Sequence, residues 1–234
     1  FYRWYPDGKI NACNNAIDVH IKEGRGENIA LISHSCYTDR SFTVTYNELL
    51  KRVCKVANIF VKCGVKTGDT VIIYMPMITE AIYGMLACAR IGAIHSVVFG
   101  GFSSEELSDR IVDANPKVIY TTSCGIEPRK KFMYWPIIKE AIDLAKVKSK
   151  DRINKSHIVF YQRTDAVVEE SVKEYYVKLD KDTNENDKLY RIVDFNYEYE
   201  LANDFIHYIS VESNHPLYIL YTSGTTGTPK GVVR

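Results

Sequence analysis

The chain has 234 residues, a net charge of +1 and 46% hydrophobic residues. That balance belongs to a soluble globular protein of one large domain or one and a half, and it lacks the strongly basic footprint of a nucleic-acid surface. No apolar run reaches the length of a membrane span, so neither nucleic acid nor membrane is expected as a partner.

In chain order, residues 1–44 hold short strand-like pieces such as 29–32, joined by Gly-rich connections. The first clear helix follows Thr45. Thr45 and Glu48 have the spacing of a capping box, and Leu49, Val53, Val56, Ala57 and Phe60 keep helical spacing up to Gly64. A Gly68-Asp69 turn introduces a β-rich strand over 70–75, stopped by Pro76. A second helix carries Ile78, Ala81, Ile82, Met85, Leu86 and Ala89 on one predicted face and stops at Gly92. A strand over 94–99 leads into Gly100-Gly101, and Ser103 with Glu106 predicts a capped helix bearing Leu107 and Ile111. Strands over 117–121 and 157–161 flank a helix over 137–145. This alternation predicts an α/β fold of mostly parallel sheet covered by helices.

Between about residues 164 and 214 the rhythm fails. Residues 180–188 read as a polar loop, 193–199 alternate weakly, and the stretch is expected to be an irregular surface excursion. The chain returns with residues 217–221, Leu-Tyr-Ile-Leu-Tyr, which read as a short buried strand. Two units are expected: an N-terminal segment, 1–44, and an α/β region, 45–234. The chain begins at Phe1 and ends three residues past Gly231, and is read as part of a longer protein with any targeting sequence outside it.

The six cysteines are scattered with no C-x-x-C pair and read as reduced, structural residues; none of the six histidines supplies metal spacing. No metal site is expected from the residues themselves. Asp109 and Arg110 read as a surface pair or helix-face residues, and His95 as a satisfied core histidine.

Chemistry concentrates at the end of the chain. From Thr222 to Thr228 no residue is larger than Thr. Gly224 and Gly227 let the backbone approach a ligand, consecutive N–H groups can nest an anion, Thr222, Ser223, Thr225 and Thr226 offer hydroxyls, and Lys230 adds a positive charge. A phosphate chain suits that set; a flexible hairpin or linker is the plainer reading. A Walker A loop is excluded twice, since Pro229 precedes Lys230 and Gly231 follows it. Such a run after a strand also sits where open α/β sheets bind ligands.

The stretch YTSGTTGTPKGV, residues 221–232, resembles the phosphate-binding loop of the adenylate-forming superfamily: acyl-CoA synthetases, peptide-synthetase adenylation domains and luciferases. Residues 71–111, from VIIYMPMITEAIYGM to SSEELSDRI, resemble its acetyl-CoA and propionyl-CoA synthetase branch. Residues 8–21, GKINACNNAIDVHI, are similar to that branch's N-terminal signature, with Val19 where an Arg is usual.

The resemblance implies the N-terminal part of the large domain of such an enzyme. It implies ATP-dependent activation of acetate or propionate through an acyl-adenylate to its CoA thioester, with ATP, Mg²⁺ and CoA as substrates and cofactor and small molecules as partners. Thr222, Ser223, Gly224, Thr225, Thr226, Gly227 and Lys230 would bind the ATP phosphates. Phe99, Gly100 and Gly101 would lie near the adenine and ribose of CoA, although Phe99 can equally be read as a core residue closing a strand. Glu127, Pro128, Arg129 and Lys130, within GIEPRKKF, match a loop that carries two Arg residues for the CoA phosphates in the acetate enzymes. Here those positions are Glu127 and Lys130, a departure shared with the propionate-type branch. No complete catalytic set lies in these residues, so the chain alone is expected to be inactive. The branch implies an intracellular protein of the mitochondrial matrix or cytosol. A non-catalytic relative that keeps the fold as a binding module is the alternative.

Overall fold

Five parallel strands form the centre of the structure, a computed structural model that describes residues 5–127, 130–150, 152–166, 189–222 and 229–234, with Lys130 by its backbone alone. The chain opens with β1 (Lys9–Ile10), two short π-helical turns (Asn14–Asp18 and Ile21–Arg25), and the antiparallel pair β2 (Ile29–Ser35) and β3 (Arg40–Thr45). Then strand and helix alternate: α1 (Tyr46–Lys62), β4 (Thr70–Met75), α2 (Thr79–Ile91), β5 (Ile94–Phe99), α3 (Ser104–Ala114) and β6 (Val118–Thr122). A hairpin of β7 (Cys124–Glu127) and β8 (Lys130–Met133) precedes α4 (Tyr134–Ser149) and β9 (Ser156–Tyr161). The remainder is β10 (Tyr190–Asp194), α5 (Phe195–Leu201), β11 (Val211–Glu212), β12 (Ile219–Thr222) and β13 (Lys230–Val233).

The sheet order is β10-β9-β6-β4-β5, every pair parallel. Side chains of β4 alternate between two cores, because successive Cβ atoms of a strand point to opposite faces. Val71, Ile73 and Met75 join the core under α1 and α2, whereas Ile72 and Tyr74 join the core under α3 and α4. Both faces are covered, which is why the strand reads as a continuous apolar run. The two capping boxes form as expected: Thr45 Oγ1 accepts from the Glu48 amide at 3.3 Å, and Ser103 Oγ from the Glu106 amide at 3.3 Å. Among the described residues no helix is long and apolar enough to cross a membrane.

The segment before residue 45 is bonded into the same core. Cys13, Ile17 and Val44 are buried with α1. Arg90, 1% exposed, reaches back from α2 to Asp18 with bonds of 2.9 and 3.2 Å and donates to the Ile206 carbonyl at 2.8 Å. Asn11 Nδ2 donates to Ala89 O at 2.7 Å and to Ile209 O at 2.8 Å.

Four expectations are corrected. The most buried face of α2 is Tyr83, Gly84, Ala87, Cys88 and Ile91, while Ile78, Ala81, Ile82, Met85 and Leu86 are only half-buried. Of the expected face only Ala89 is buried, and Gly84 lets the helix close on the Tyr120 and Ile73 side chains of the sheet. Residues 189–201 are not irregular: β10 extends the parallel sheet beside β9, and α5 follows, capped by Asp194, whereas residues 202–210 form the irregular, mostly exposed stretch that was expected. The polar stretch 180–188 lies outside the described residues. Within GIEPRKKF the described residues pair as antiparallel strands and do not read as a loop, with Gly125 opposite Phe132 and Glu127 opposite Lys130. Residues 217–221 are not buried: Leu220 is exposed and the others are half-buried, because the segment lies at the outer edge of the sheet beside β5.

Candidate functional site

The parallel strands β4, β5, β6 and β9 end at Met75, Phe99, Thr122 and Tyr161, and their registers set Met75 beside Phe99 and Thr122 beside Tyr161. These ends form one carboxyl edge. Threonine hydroxyls close it: Thr121 Oγ1 donates to Tyr74 O at 2.7 Å and Thr122 Oγ1 to Tyr161 O at 2.9 Å. Buried polar groups paired in this way hold the edge in one arrangement.

The turn after β5 rises from that edge. Phe102 N–H donates to Phe99 O at 3.0 Å, and Tyr74 Oη donates to Phe102 O at 2.6 Å. Gly100 is buried, and a methyl group there would sit 2.8 Å from the Met75 carbonyl oxygen and press into Tyr134 Oη. Only glycine lets the backbone pass. Phe99 is 67% exposed, which overturns its reading as a core residue. Its ring meets Phe102 edge-on at 5.6 Å, and most of it remains free for a flat partner to stack on.

The β7–β8 hairpin carries the second piece. Glu127 is exposed at its tip opposite Lys130, while Pro128 and Arg129 lie outside the described residues. Arg163 supports its base, donating to Cys124 O at 3.2 Å and pairing with Asp165 at 2.7 and 2.9 Å. That hydrogen-bonded pairing holds the Asp165 carboxyl below its usual range. Tyr134 stands between the hairpin and the turn: its hydroxyl abuts Gly100, and its ring meets Phe132 at 5.2 Å and Tyr74 at 5.0 Å. The two pieces assigned to coenzyme binding are thus brought to one side of the sheet. Burial pushes the Tyr74 hydroxyl up to about 12 and the Tyr134 hydroxyl higher still, so both stay protonated near neutrality.

The terminal hairpin leaves from the same edge. His95 N–H donates to Leu217 O at 3.2 Å, which docks the incoming chain beside β5. β12 and β13 then pair antiparallel, with Thr222 opposite Lys230 at the open end. Both are exposed, and Thr222 Oγ1 lies 3.5 Å from Lys230 O. Ser223, Gly224, Thr225, Thr226 and Gly227 lie outside the described residues. Tyr221 Oη donates to Asp113 Oδ2 at 2.7 Å, and burial together with that carboxylate raises the phenol.

Two expectations about individual side chains fail here. Arg110 is 5% exposed, its guanidinium 4.4 Å from the Phe102 ring centroid and 5.3 Å from that of Tyr221. Asp109, its neighbour, does make the expected surface pair, but with Lys148 at 2.5 Å. His95 is not satisfied: its buried Nδ1 has no partner among the described residues, and burial lowers it to about 4. Among the described residues no three His, Cys, Asp or Glu side chains converge to hold a metal ion. Sequence reasoning missed Tyr74, Tyr134 and Asp113, whose parts depend on contacts 28 to 108 residues away in sequence.

A family model described as "AMP-binding enzyme" matches residues 20–234. The chain is 48% identical over 232 residues to the rat mitochondrial acyl-CoA synthetase short-chain family member 3, covering 99% of this chain and 30% of that protein. It is 46% identical to the human protein of that name over 233 residues, again 30% of its length, and 44% identical to the acetyl-coenzyme A synthetase of Methylobacillus flagellatus, of which it covers 32%. The chain therefore spans about a third of these relatives. The crystal structure of a Brucella canis acyl-CoA synthetase matches its fold with a TM-score of 0.67 at 20% identity, over 97% of this chain and 34% of that one. With the parallel α/β sheet and the family match over residues 20–234 in agreement, this chain belongs to the AMP-binding enzyme family.

Proposed function

We propose that the protein carrying this chain is an ATP-dependent, AMP-forming acyl-CoA synthetase for a short-chain carboxylate, acetate or propionate. In the first half-reaction a carboxylate oxygen attacks the α-phosphorus of ATP and the bond to the β-phosphate oxygen breaks, giving acyl-adenylate and pyrophosphate. In the second, the CoA sulfur attacks the acyl carbon, the acyl–phosphate bond breaks, and AMP leaves. The thiol proton is lost to solvent.

The demand on this chain is stabilisation of the leaving pyrophosphate. Thr222, Ser223, Gly224, Thr225, Thr226 and Gly227 supply hydroxyl and amide donors, and Lys230 supplies a point charge. The observation that carries this reading is the hairpin itself. It leaves the carboxyl edge of the sheet with Thr222 and Lys230 facing each other at the ends of the loop. Mg²⁺ bound to the phosphates would neutralise part of their charge. For CoA, the exposed ring of Phe99 beside Gly100-Gly101 offers a stacking surface, and in the stretch Glu127, Pro128, Arg129, Lys130 the cations Arg129 and Lys130 are the groups suited to its phosphates, whereas the Glu127 carboxylate is not.

Residues 1–44 serve as a segment laid against the α/β region 45–234 of the large adenylate-forming domain. The 234 residues on their own complete neither half-reaction, because they span only about a third of their relatives and gather no full catalytic set. The rat and human relatives are named as mitochondrial, which supports a mitochondrial compartment over the cytosol for this protein.

Pyrophosphate exchange on the complete protein tests the assignment. Acetate- or propionate-dependent return of label from pyrophosphate into ATP is expected. ATP hydrolysis to ADP and phosphate, independent of any carboxylate, would overturn it, and thioester formation by the isolated chain would overturn the claim of incompleteness.

A further inference from the structure

The two loops assigned above to coenzyme and phosphate share a weakness. One is built on Gly100-Gly101 and the other on Ser, Thr and Gly from Ser223 to Thr228, so neither carries bulky side chains of its own to pack. Their positions must come from the residues that flank them. Those flanks are Phe102 on the coenzyme side and Tyr221 on the phosphate side, and one side chain touches both.

Arg110 projects from α3 with its guanidinium 4.4 Å from the Phe102 ring centroid and 5.3 Å from the Tyr221 ring centroid. It is 5% exposed, and its Nη1 donates back to the Glu106 carbonyl at 2.5 Å. One turn further along the same face, Asp113 accepts the Tyr221 hydroxyl at 2.7 Å. The returning strand passes the same spot: a methyl group at Gly231 would lie 3.2 Å from Asp113 Oδ2 and 3.2 Å from the Tyr221 ring. Lys148 in turn holds α3 to α4 through Asp109 at 2.5 Å and Glu105 at 2.6 Å, so the helix is a fixed mount. A Met or Leu would fill such a site without taking a charge out of water. What the flat guanidinium adds is the capacity to face two aromatic rings on two different loops at once.

We propose that Arg110 is a positioning residue that locks the turn after β5 to the base of the terminal hairpin, so that the coenzyme-side turn and the phosphate loop are set in place together. The lock rests on the acyl-CoA synthetase reading for what the loops bind, but not for its geometry. Each loop thereby feels a change made at the flank of the other.

Hydrogen–deuterium exchange on the complete protein reads the lock directly. Arg110→Met is expected to raise exchange about tenfold at residues 100–102 and at 219–222 together, the effect of losing one desolvated cation–π contact, with the middle of α3 unchanged. Arg110→Lys should restore the protection only in part. Phe102→Leu leaves the guanidinium in place, so it keeps the test open if Arg110→Met does not fold. It should raise exchange in the hairpin and lower kcat in carboxylate-dependent pyrophosphate exchange more than it raises KM for ATP, because the loosened loop acts on the departing pyrophosphate. Tyr221→Leu, which removes the ring that Arg110 faces, should do the reverse, loosening residues 100–102. Effects confined to the substituted loop, or loosening of α3 alone, would overturn the proposal. If the wild-type protein shows no carboxylate-dependent exchange while the cross-effects persist, the lock stands and the functional reading fails.

Discussion

His95 should make the protein lose stability on mild acidification, and His95→Gln should remove that loss. The residue is half-buried on β5 with Val71 of β4 on one side and Tyr218, its ring centroid 5.8 Å away, on the other. Its Nδ1 is buried without a partner among the described residues, and desolvation alone lowers it from 6.5 to about 4. Because the folded value lies below the unfolded one, the unfolded chain binds more protons between them. Stability is therefore complete above about pH 6.5 and falls as pH drops toward about 4. At 1.36 kcal/mol per unit, a depression of about two and a half units removes about 3 kcal/mol by the acid end of that window. The assay is urea unfolding of wild type and His95→Gln at a series of pH values, comparing midpoints at constant m. The wild-type curve should fall more steeply on the acid side, and the variant should lie closer to it at low pH than at neutral pH. Parallel curves over the whole window would refute the argument, because they would mean that His95 does not take up its proton on unfolding.

Three further outcomes are expected. Gly100→Ala should destabilise the protein by about 1–3 kcal/mol through overlap with the Met75 carbonyl and the Tyr134 hydroxyl, read by denaturant unfolding, and Tyr134→Phe should recover part of that loss. Arg90→Met should cost about 3–5 kcal/mol, because it strands Asp18 and the Ile206 carbonyl, and Asp18→Asn introduced with it should recover much of the loss in a double-mutant cycle. Thr45→Ala and Ser103→Ala should each lower unfolding stability by about 1 kcal/mol, additively, since the two capping boxes belong to separate helices.

Much of the α/β frame is legible in the sequence because local and tertiary demands coincide there. Thr45 with Glu48 and Ser103 with Glu106 satisfy helix-end amides whatever lies around them, and residues 70–75 are β-rich between a turn and a proline, so β4 has the expected bounds. What escaped was decided by partners distant in sequence. β10 is an unremarkable mixed stretch until it lies beside β9, and the Glu127–Lys130 hairpin reads as a charged loop until Gly125 tucks against Phe132. The same holds at the site. The Thr, Ser, Gly and Lys set of the terminal loop is written in order along the chain, whereas Tyr134 matters only because Gly100 leaves it room. Arg110 gave a surface signal because charge is usually solvated, and nothing local reveals that Phe102 and Tyr221 enclose it.

The central claim is that the small-residue loop between Thr222 and Lys230 stabilises departing pyrophosphate. Measuring the two half-reactions separately in Lys230→Ala of the complete protein tests it most directly. Adenylate formation should fall on the order of 10²-fold, as expected for removing one transition-state charge contact, while thioester formation from preformed acyl-adenylate should change little. Equal loss in both half-reactions, or no loss in the first, would contradict it.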